Sequence, residues 1–216
     1  MNPLVIGLTG GIGAGKTTAA KVLESFGADV IDVDQIGRDL YELDSAVREQ
    51  VINVFGGGIL EENGLIDRKK LAAVVFSDAR DLEALEAITH PAINRILQSR
   101  ILKRKGQTVV LDMAILVEKK LGYDGEDPMY DKVVVVESAR ELRVKRLESR
   151  GLTIREIHDR FDSQPSDSAR RAVADYIIQN DGKVSELHQA VKEMWQMVEI
   201  WRIEASDDCI EGEDTN

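Results

Sequence analysis

Short apolar runs alternate with segments of helical periodicity along most of the chain. In the helical segments, apolar residues recur every three or four positions, which is the spacing of an amphipathic helix. Strands that alternate with helices predict an α/β fold, and fully apolar strands are typical of a parallel sheet covered on both faces. The predicted strands are Leu4–Thr9, Gly27–Asp34, Thr108–Asp112, Asp131–Val136 and Ala174–Asn180.

Residues 44–105 carry only helical patterns and interrupt the succession of strands. Within them, Thr89-His90-Pro91 separates two helical patterns, and Pro91 suits a first helical position. The helices predicted in this region are Ser45–Phe55, a helix opening at Asp67, Asp78–Ile88 and Ala92–Lys105. We therefore predict a helical insertion between strands of the sheet.

These patterns predict one domain over residues 1–203, followed by an acidic tail over 204–216 that we expect to be disordered. The predicted parts of the domain are a core at about 1–43, 106–137 and 174–203, the helical region at about 44–105, and a helical hairpin at about 138–165. A final amphipathic helix is predicted over Val184–Trp201.

The segment between the first strand and its following helix is rich in glycine. Gly10, Gly15, Lys16 and Thr17 fill the pattern G-x-x-x-x-G-K-[ST] in the context of strand, loop and helix. Glycines let successive backbone N–H groups converge on an anion, and the helix start adds its positive dipole end. The residues predicted to bind ATP here are Gly11, Ile12, Gly13, Ala14, Gly15, Lys16, Thr17 and Thr18. The alternative is a plain glycine turn, whereas a dinucleotide fingerprint has a different final spacing.

Carboxylates end two of the predicted strands. Asp32 and Asp34 close the second strand on one side of the extended chain, and Asp112 closes the third. Strand ends line the ligand crevice of an open parallel sheet, so we expect these acids near the phosphate loop. Asp112 fits the Walker-B position and, with the Thr17 hydroxyl, is a candidate Mg²⁺ ligand. Asp34 is either the general base of a phosphoryl transfer or the N-cap of the next helix.

Arginines recur at helical spacing near residue 146. Arg143, Arg146 and Arg150 lie three and four positions apart, and the turn at Gly151 joins their helix to a second one. Such a hairpin is typical of the lid with which phosphotransferases close over ATP and neutralise the transferring phosphoryl group. The alternative is a solvated helix face with ordinary ion pairs.

Composition narrows the choice of partners. The chain has 216 residues, 43% of them hydrophobic, and a formal net charge of −11. An acidic field repels polyanions, so a nucleic-acid partner is not expected and any anionic ligand needs a local basic cluster. The single cysteine excludes an internal disulfide. The sequence shows no evident secretory signal peptide and no apolar run long enough to span a membrane. We expect a cytoplasmic protein with no membrane partner.

Taken together, these stretches resemble the dephospho-coenzyme A kinase family over nearly the whole chain up to the acidic tail. The resemblance rests on five stretches in this order, namely Leu8–Thr17, Ile31–Asp34 with Ile36 and Arg38, His90-Pro91, Arg146–Leu152 with Arg160 and Gln164-Pro165, and Ala174–Ile178 with Asn180 and Gly182. In place of the family's Asp-x-Pro-Leu-Leu, this chain has Asp112-Met113-Ala114-Ile115-Leu116. We expect a looser turn after Asp112 there.

The resemblance implies a P-loop kinase-type parallel sheet flanked by helices, with a helical acceptor-binding insertion and a helical lid. It also implies transfer of the ATP γ-phosphoryl group to the ribose 3′-hydroxyl of dephospho-coenzyme A, with Mg²⁺, by a monomer or small homo-oligomer. The catalytic residues that the resemblance implies are Asp34, Lys16 and Arg146. The resemblance also adds Arg146, Arg150 and Asn180 to the ATP site. The residues that it implies for acceptor binding are Thr9, Asp34, Arg38 and His90. From the sequence alone, His90 is weak evidence for an acceptor site, and the pattern favours a cap or core histidine. A nucleoside or nucleotide kinase and a nucleotide-dependent switch remain alternatives.

Overall fold

The computed structural model describes residues 2–114, 116 and 121–211. The chain forms two compact units, one of Met1–Asp32 with Arg100–Asn216 and one of Val33–Ser99. Ile115, which belongs to the turn after Asp112, and residues 212–216 of the predicted tail lie outside the described residues.

The first unit is built on a five-stranded sheet in the order β2-β3-β1-β6-β7, with every neighbouring pair parallel. The strands of the described residues are β1 (Leu4–Gly10), β2 (Asp29–Asp32), β3 (Thr108–Asp112), β4 (Tyr123–Asp124), β5 (Asp127–Pro128), β6 (Lys132–Glu137) and β7 (Tyr176–Gln179). Strands β4 and β5 pair as a separate antiparallel hairpin that we did not predict. Strand β1 is buried along its whole length, which explains why its sequence is an uninterrupted apolar run. The predicted α/β class and parallel sheet are confirmed.

Helices cover this sheet and form the second unit. They are α1 (Lys16–Ser25), α2 (Val33–Leu43), α3 (Ser45–Phe55), α4 (Arg68–Val75), α5 (Ala79–Leu102), α6 (Arg140–Glu148), α7 (Ile154–Asp162), α8 (Asp167–Ala172) and α9 (Val184–Glu211). Helices α1 and α9 share a hydrophobic core with β1. Strand β1 contributes Ile6 and Leu8 to this core, α1 contributes Leu23, and α9 contributes Val191 and Met194. That core fixes the start of α1 relative to the end of β1.

The unit Val33–Ser99 is mainly helical, with short connections between its helices and a 3-10 turn at Gly57–Ile59. Asp44 and Asp67 cap α3 and α4, each accepting two backbone N–H groups of the first turn. The predicted bounds of α3 are confirmed. A single antiparallel bridge between Leu60 and Ile66, in the stretch before α4, was not foreseen.

The end of the second strand differs from the prediction. Strand β2 stops at Asp32 and α2 begins at Val33, so Asp34 lies in the first helical turn. Val33 and Ile36 are buried at helical spacing, and this packing overrides the alternation that we read as extended chain. The expectation that Asp32 and Asp34 share one side of a strand is wrong, and so is an N-cap role for Asp34.

Two further helices run past their predicted ends. Helix α5 is continuous through Pro91, where we predicted a break, because Ala92, Ile93 and Leu97 are buried and their packing outweighs the lost backbone bond. Helix α9 continues to Glu211, beyond the predicted end at Trp201, since neither glycine nor proline occurs before Gly212. The tail predicted to be disordered from Glu204 is therefore helical as far as Glu211.

Candidate active site

The glycine loop lies between the last residue of β1 and the first residue of α1. Gly13 and Gly15 have φ values of 78° and 107°, in the left-handed region that glycine adopts without strain. The N–H of Ala14 donates to Gly11 O at 2.9 Å, which closes the turn. Because α1 begins at Lys16, the positive end of the helix dipole faces the loop. This arrangement is a ready-made anion site.

Lys16 forms an ion pair with Asp112 at the C-terminal end of β3. Both side chains are largely shielded from water, at 16% and 11% exposed. The structure therefore brings the strand-end acid to the phosphate loop, as we expected, whereas the ion pair with Lys16 was not predicted. Asp32, at the end of β2, is the register partner of Asp112 on the neighbouring strand.

Two side chains near the loop carry oxygen donors of the type that Mg²⁺ prefers, but two protein donors do not fill its coordination sphere. Asp112 supplies a hard carboxylate, and the exposed Thr17 supplies a hydroxyl on the first turn of α1. Within the described ranges, no group of three or more His, Cys, Asp or Glu residues could hold a metal. Mg²⁺ is commonly held by one or two protein oxygens together with substrate phosphates and water, so this donor set fits an ion that arrives with a nucleotide.

Arg143 is a buried part of the loop's support. Its side chain is 4% exposed, and Nε donates to Ile12 O at 2.9 Å. One terminal nitrogen donates to both carboxylate oxygens of Asp167 at 3.0 Å, and the guanidinium lies 4.6 Å from the ring centre of Phe161. The solvated-face alternative is wrong for this arginine.

Arg146 and Asn180 contact the loop from the ends of α6 and β7. The Arg146 guanidinium donates to Asn180 O at 2.8 Å, to Ser138 Oγ at 3.1 Å and, more weakly, to Gly13 O at 3.3 Å. Asn180 donates its amide to Ala14 O at 2.7 Å. The structure thus brings both predicted residues to the phosphate loop, whereas the predicted adenine-lining role of Asn180 stays a prediction.

The start of α6 carries a fixed negative charge close to Arg146. Asp181 accepts the backbone N–H of Ala139 at 2.7 Å and the Gln179 amide at 2.6 Å. These two bonds, with smaller contributions from Ser138 and Arg146, hold the pKa of Asp181 below its usual value. The ionised carboxylate therefore stabilises the N-terminus of α6.

The predicted helical hairpin is present as α6 and α7. Leu147, Ile157 and Phe161 form its small core, against which Ile12 of the loop packs. Thr153 and Glu156 form a reciprocal cap at the start of α7. Arg150 is exposed just after α6, so the three arginines at helical spacing have three different environments. Motion of this hairpin as a lid stays a prediction.

The predicted acceptor residues lie in two places. Thr9 is buried in β1, where its hydroxyl donates to Ala114 O at 3.4 Å. Asp34, Arg38 and His90 belong to the unit Val33–Ser99. Asp34 is half-buried in the first turn of α2, Arg38 is exposed and donates to Gln35 at 2.7 Å, and His90 is half-buried within α5.

A cavity of about 460 Å³ lies within the same unit. Its charged and aromatic lining residues are Arg38, Tyr41, Glu42, Arg48, Glu61, Asp67, Arg68 and Lys69. The guanidinium of Arg68 lies 6.0 Å from the ring centre of Tyr41. Asp67 is occupied by capping α4, which leaves the cations in excess among the groups available to a ligand. An anionic molecule is the ligand that this cavity suits.

Sequence reasoning missed the side chains that support the loop. Gln164 accepts the N–H of Ile12 at 2.9 Å, and Arg170, only 2% exposed, donates to Pro165 O and Asp167. Arg171 forms a bidentate pair with Glu137 at 2.8 Å. Gln164 was noticed only as part of the stretch that resembles a known family. Periodicity carries no signal for long-range bonds of this kind.

A glycine loop that leads from β1 into the N-terminus of α1, with a lysine that reaches the carboxylate at the end of β3, defines a phosphate-loop nucleotide-binding protein. Within that class, an arginine-bearing hairpin packed on the loop is typical of kinases. The sequence profile of the dephospho-CoA kinase family matches residues 4–186. The chain belongs to the dephospho-CoA kinase family.

Individual relatives agree with this assignment. The dephospho-CoA kinase of Corynebacterium diphtheriae is 42% identical over 89% of this chain and 96% of its own length. That of Aquifex aeolicus is 37% identical over 88% and 95%. Among solved structures, TT1252 from Thermus thermophilus has a TM-score of 0.76 at 31% identity, covering 91% of this chain and 98% of its own. Dephospho-CoA kinase from Campylobacter jejuni has a TM-score of 0.66 at 27% identity, covering 90% and 96%.

Across the described residues, the helices are all too short or too polar to cross a membrane.

Proposed function

We propose that this chain phosphorylates the ribose 3′-hydroxyl of dephospho-coenzyme A with ATP, giving coenzyme A and ADP. The observation that carries the proposal is the ion pair of Lys16 and Asp112 at the glycine loop, in a chain that belongs to the dephospho-CoA kinase family. The loop accounts for a nucleotide substrate, and family membership accounts for the acceptor.

In the proposed reaction the acceptor oxygen forms a bond to the γ-phosphorus while the bond from that phosphorus to ADP breaks. Asp34 takes the proton of the 3′-hydroxyl as general base. The loop N–H groups and Lys16 bind the phosphate chain, and Lys16 exchanges the Asp112 carboxylate for phosphate oxygens. Arg146 and Arg150 stabilise the charge of the transferring group.

Mg²⁺ is the metal that we propose for this site. Thr17 and Asp112 would hold it, Asp112 becoming available as Lys16 turns to the nucleotide. When bound, the ion neutralises charge on the phosphate oxygens. Thr17 lies on the first helical turn and Asp112 at a strand end, so both donors are carried by regular structure.

For the acceptor we propose Thr9, Arg38 and His90 as binding residues and the cavity of the unit Val33–Ser99 as the receptor of its anionic part. Dephospho-coenzyme A carries a diphosphate, which suits Arg38, Arg68 and Lys69 in the cavity lining. A cytoplasmic location, a monomer or small homo-oligomer, and the lack of nucleic-acid and membrane partners remain predictions from the sequence.

The test is mass analysis of products from ATP and Mg²⁺ with dephospho-coenzyme A, with a panel of nucleosides and nucleotides, and with no acceptor. We expect coenzyme A and ADP in equal amounts in the first mixture and negligible product in the others. Efficient phosphorylation of a nucleoside, or ADP release that ignores the acceptor, would favour one of the alternative functions.

A further inference from the structure

Ile12, between two glycines of the phosphate loop, has both of its backbone polar groups bonded to side chains. Its N–H donates to Gln164 Oε1 at 2.9 Å, and its carbonyl oxygen accepts Nε of Arg143 at 2.9 Å. Gln164 follows α7 and Arg143 lies in α6, so both bonds cross from the hairpin region to the loop. Loop backbone is more often bonded to its own neighbours or to water.

The direction of one carbonyl fixes the direction of the next N–H. In a trans peptide the two groups of one plane point in opposite directions, and all described peptide bonds are trans. Arg143 therefore draws the Ile12 carbonyl to one side and turns the Gly13 N–H to the other. Asn180 donates to the Ala14 carbonyl at 2.7 Å and thereby fixes the direction of the Gly15 N–H, which belongs to the same peptide plane. Two N–H groups of the anion site are thus set from outside the loop.

The supporting side chains are themselves held. Both oxygens of Asp167 lie 3.0 Å from Arg143, and the buried Arg170 donates to Asp167 at 3.3 Å and to Pro165 O at 2.8 Å. Arg143 and Arg170 are 4% and 2% exposed. The Asp167 side chain is 41% exposed, and hydrogen bonds between charged groups are stronger than those between neutral groups. Arg143 is consequently held in one position relative to Ile12.

The glycines of the loop are fitted to this support as well as to a phosphate. A Cβ at Gly11 would lie 2.3 Å from a terminal nitrogen of Arg143, and one at Gly15 would lie 2.2 Å from the Asn180 amide. Real Cβ atoms do not approach so closely, so a side chain at either position would displace its supporting residue. The loop sequence and the supporting residues therefore depend on each other.

We infer that Gln164 and Asp167 are positioning residues for the phosphates of a bound nucleotide. Asp167 acts through Arg143 and the Ile12 carbonyl to aim the Gly13 N–H, and Gln164 fixes the preceding peptide of the loop through the Ile12 N–H. The inference rests on the proposed function only in requiring that the loop binds a nucleotide. It specifies that the two residues contribute to the affinity for the phosphate chain without touching the acceptor.

The test uses ADP as the probe and titration calorimetry on the full chain. Gln164→Met removes the acceptor for the Ile12 N–H at similar size, and Asp167→Asn removes the charge that holds Arg143. The matched controls are Gln189→Met and Asp159→Asn, on exposed positions of α9 and α7. We expect the first pair to weaken ADP binding by about tenfold, the equivalent of one good hydrogen bond, and the control pair by less than about twofold.

Amide NMR distinguishes positioning from general loosening. In the wild type we expect ADP to shift the Gly13 and Gly15 amide signals. In Asp167→Asn, which loosens Arg143, the Gly13 response should shrink while the Gly15 response, set by Asn180, persists. Wild-type ADP affinity in both variants would overturn the inference. So would equal loss of the two glycine responses with a lowered melting temperature. Neither result depends on which acceptor is phosphorylated, whereas failure of the proposed function would appear as ADP binding without coenzyme A formation.

Discussion

The phosphate loop and the cavity of the helical unit offer hydrogen-bond donors to an anion by opposite means. At the loop, the carbonyl oxygens of Ile12, Gly13 and Ala14 accept bonds from side chains that are buried or half-buried. In the cavity, by contrast, Arg38, Arg68 and Lys69 are exposed charged side chains. The loop presents backbone groups already fixed in direction, and the cavity presents flexible charges that a ligand must order.

This difference governs how each region should respond to mutation. A fixed donor in a shielded site interacts strongly with developing charge and pays little for reorganisation. An exposed arginine gains less, because water screens its charge and its side chain loses freedom on binding. We therefore expect changes at the loop to reduce kcat severely and changes in the cavity to raise KM for the acceptor moderately.

The largest effect is expected from Lys16→Ala. Loss of the charge beside the terminal phosphates should lower kcat by about a thousandfold. The change also leaves the shielded Asp112 without its cation, so the melting temperature should fall. Steady-state kinetics, with circular dichroism to confirm folding, make the measurement. Lys21→Ala, at an exposed position of α1, is the control and should keep full activity; near-normal kcat in folded Lys16→Ala would remove the phosphate-loop assignment.

Asp34→Asn tests whether the helical unit contributes to chemistry as well as binding. If Asp34 is the base, kcat should fall by about a hundredfold. Stability should change by less than about 1 kcal/mol, the contribution of an acid in a first helical turn. Asp39→Asn on the same helix is the matched control. Equal kcat in Asp34→Asn and the wild type would exclude the base role and confine the helical unit to binding.

The sequence predicted the nucleotide side better than the acceptor side for a physical reason. Glycine spacing and a strand-end acid are local patterns, and they correctly predicted the loop and the position of Asp112 beside it. The two errors nearest the candidate site, the extended chain at Asp34 and the break at Pro91, lie where buried apolar residues overrode local propensity. The exposed cations of the cavity follow no period, so Arg38 was selected only through the resemblance, and Arg68 and Lys69 were not selected at all.

Arginine spacing was informative about the helix but not about the roles of its arginines. Arg143, Arg146 and Arg150 read alike in the sequence, yet the structure makes them buried, half-buried and exposed. Their environments depend on Ile12, Asp167 and Asn180, which are distant in the sequence. Only the folded chain can separate a supporting arginine from one that is available to a phosphate.

Arg146→Gln is expected to lower kcat by about tenfold or more. Glutamine retains a donor for one of the oxygens near Arg146 but removes the charge and the planar pair of nitrogens. Arg146→Lys should restore activity only in part, since an ammonium cannot reproduce the bonds to Ser138 and Asn180 together. Lys145→Gln, exposed on the same helix, is the control. Wild-type kcat in Arg146→Gln would show that Arg146 contributes no charge to the transfer.

The smallest effect, and the one specific to the cavity, is expected from Arg68→Gln. Arg68 is exposed at the first position of α4, and its guanidinium lies 6.0 Å from the ring centre of Tyr41. An exposed charge contributes about 1 kcal/mol or less, which corresponds to a rise of about threefold to fivefold in KM for dephospho-coenzyme A. KM for ATP and kcat at saturating acceptor should stay unchanged, because the loop does not depend on this side chain.

The control for Arg68→Gln is Arg80→Gln, which removes an equally exposed arginine of the same unit that pairs with Asp78 outside the cavity. The KM difference between the two variants should shrink at high salt, since screening weakens an exposed charge. If both variants raise KM for the acceptor alike, only the net charge of the unit matters. If neither does, the acceptor binds elsewhere. If KM for the acceptor rises only in Arg68→Gln, the cavity is the site that binds the acceptor. The helical unit then contributes moderately to acceptor binding, in contrast to the large effect on kcat that we expect from the phosphate loop.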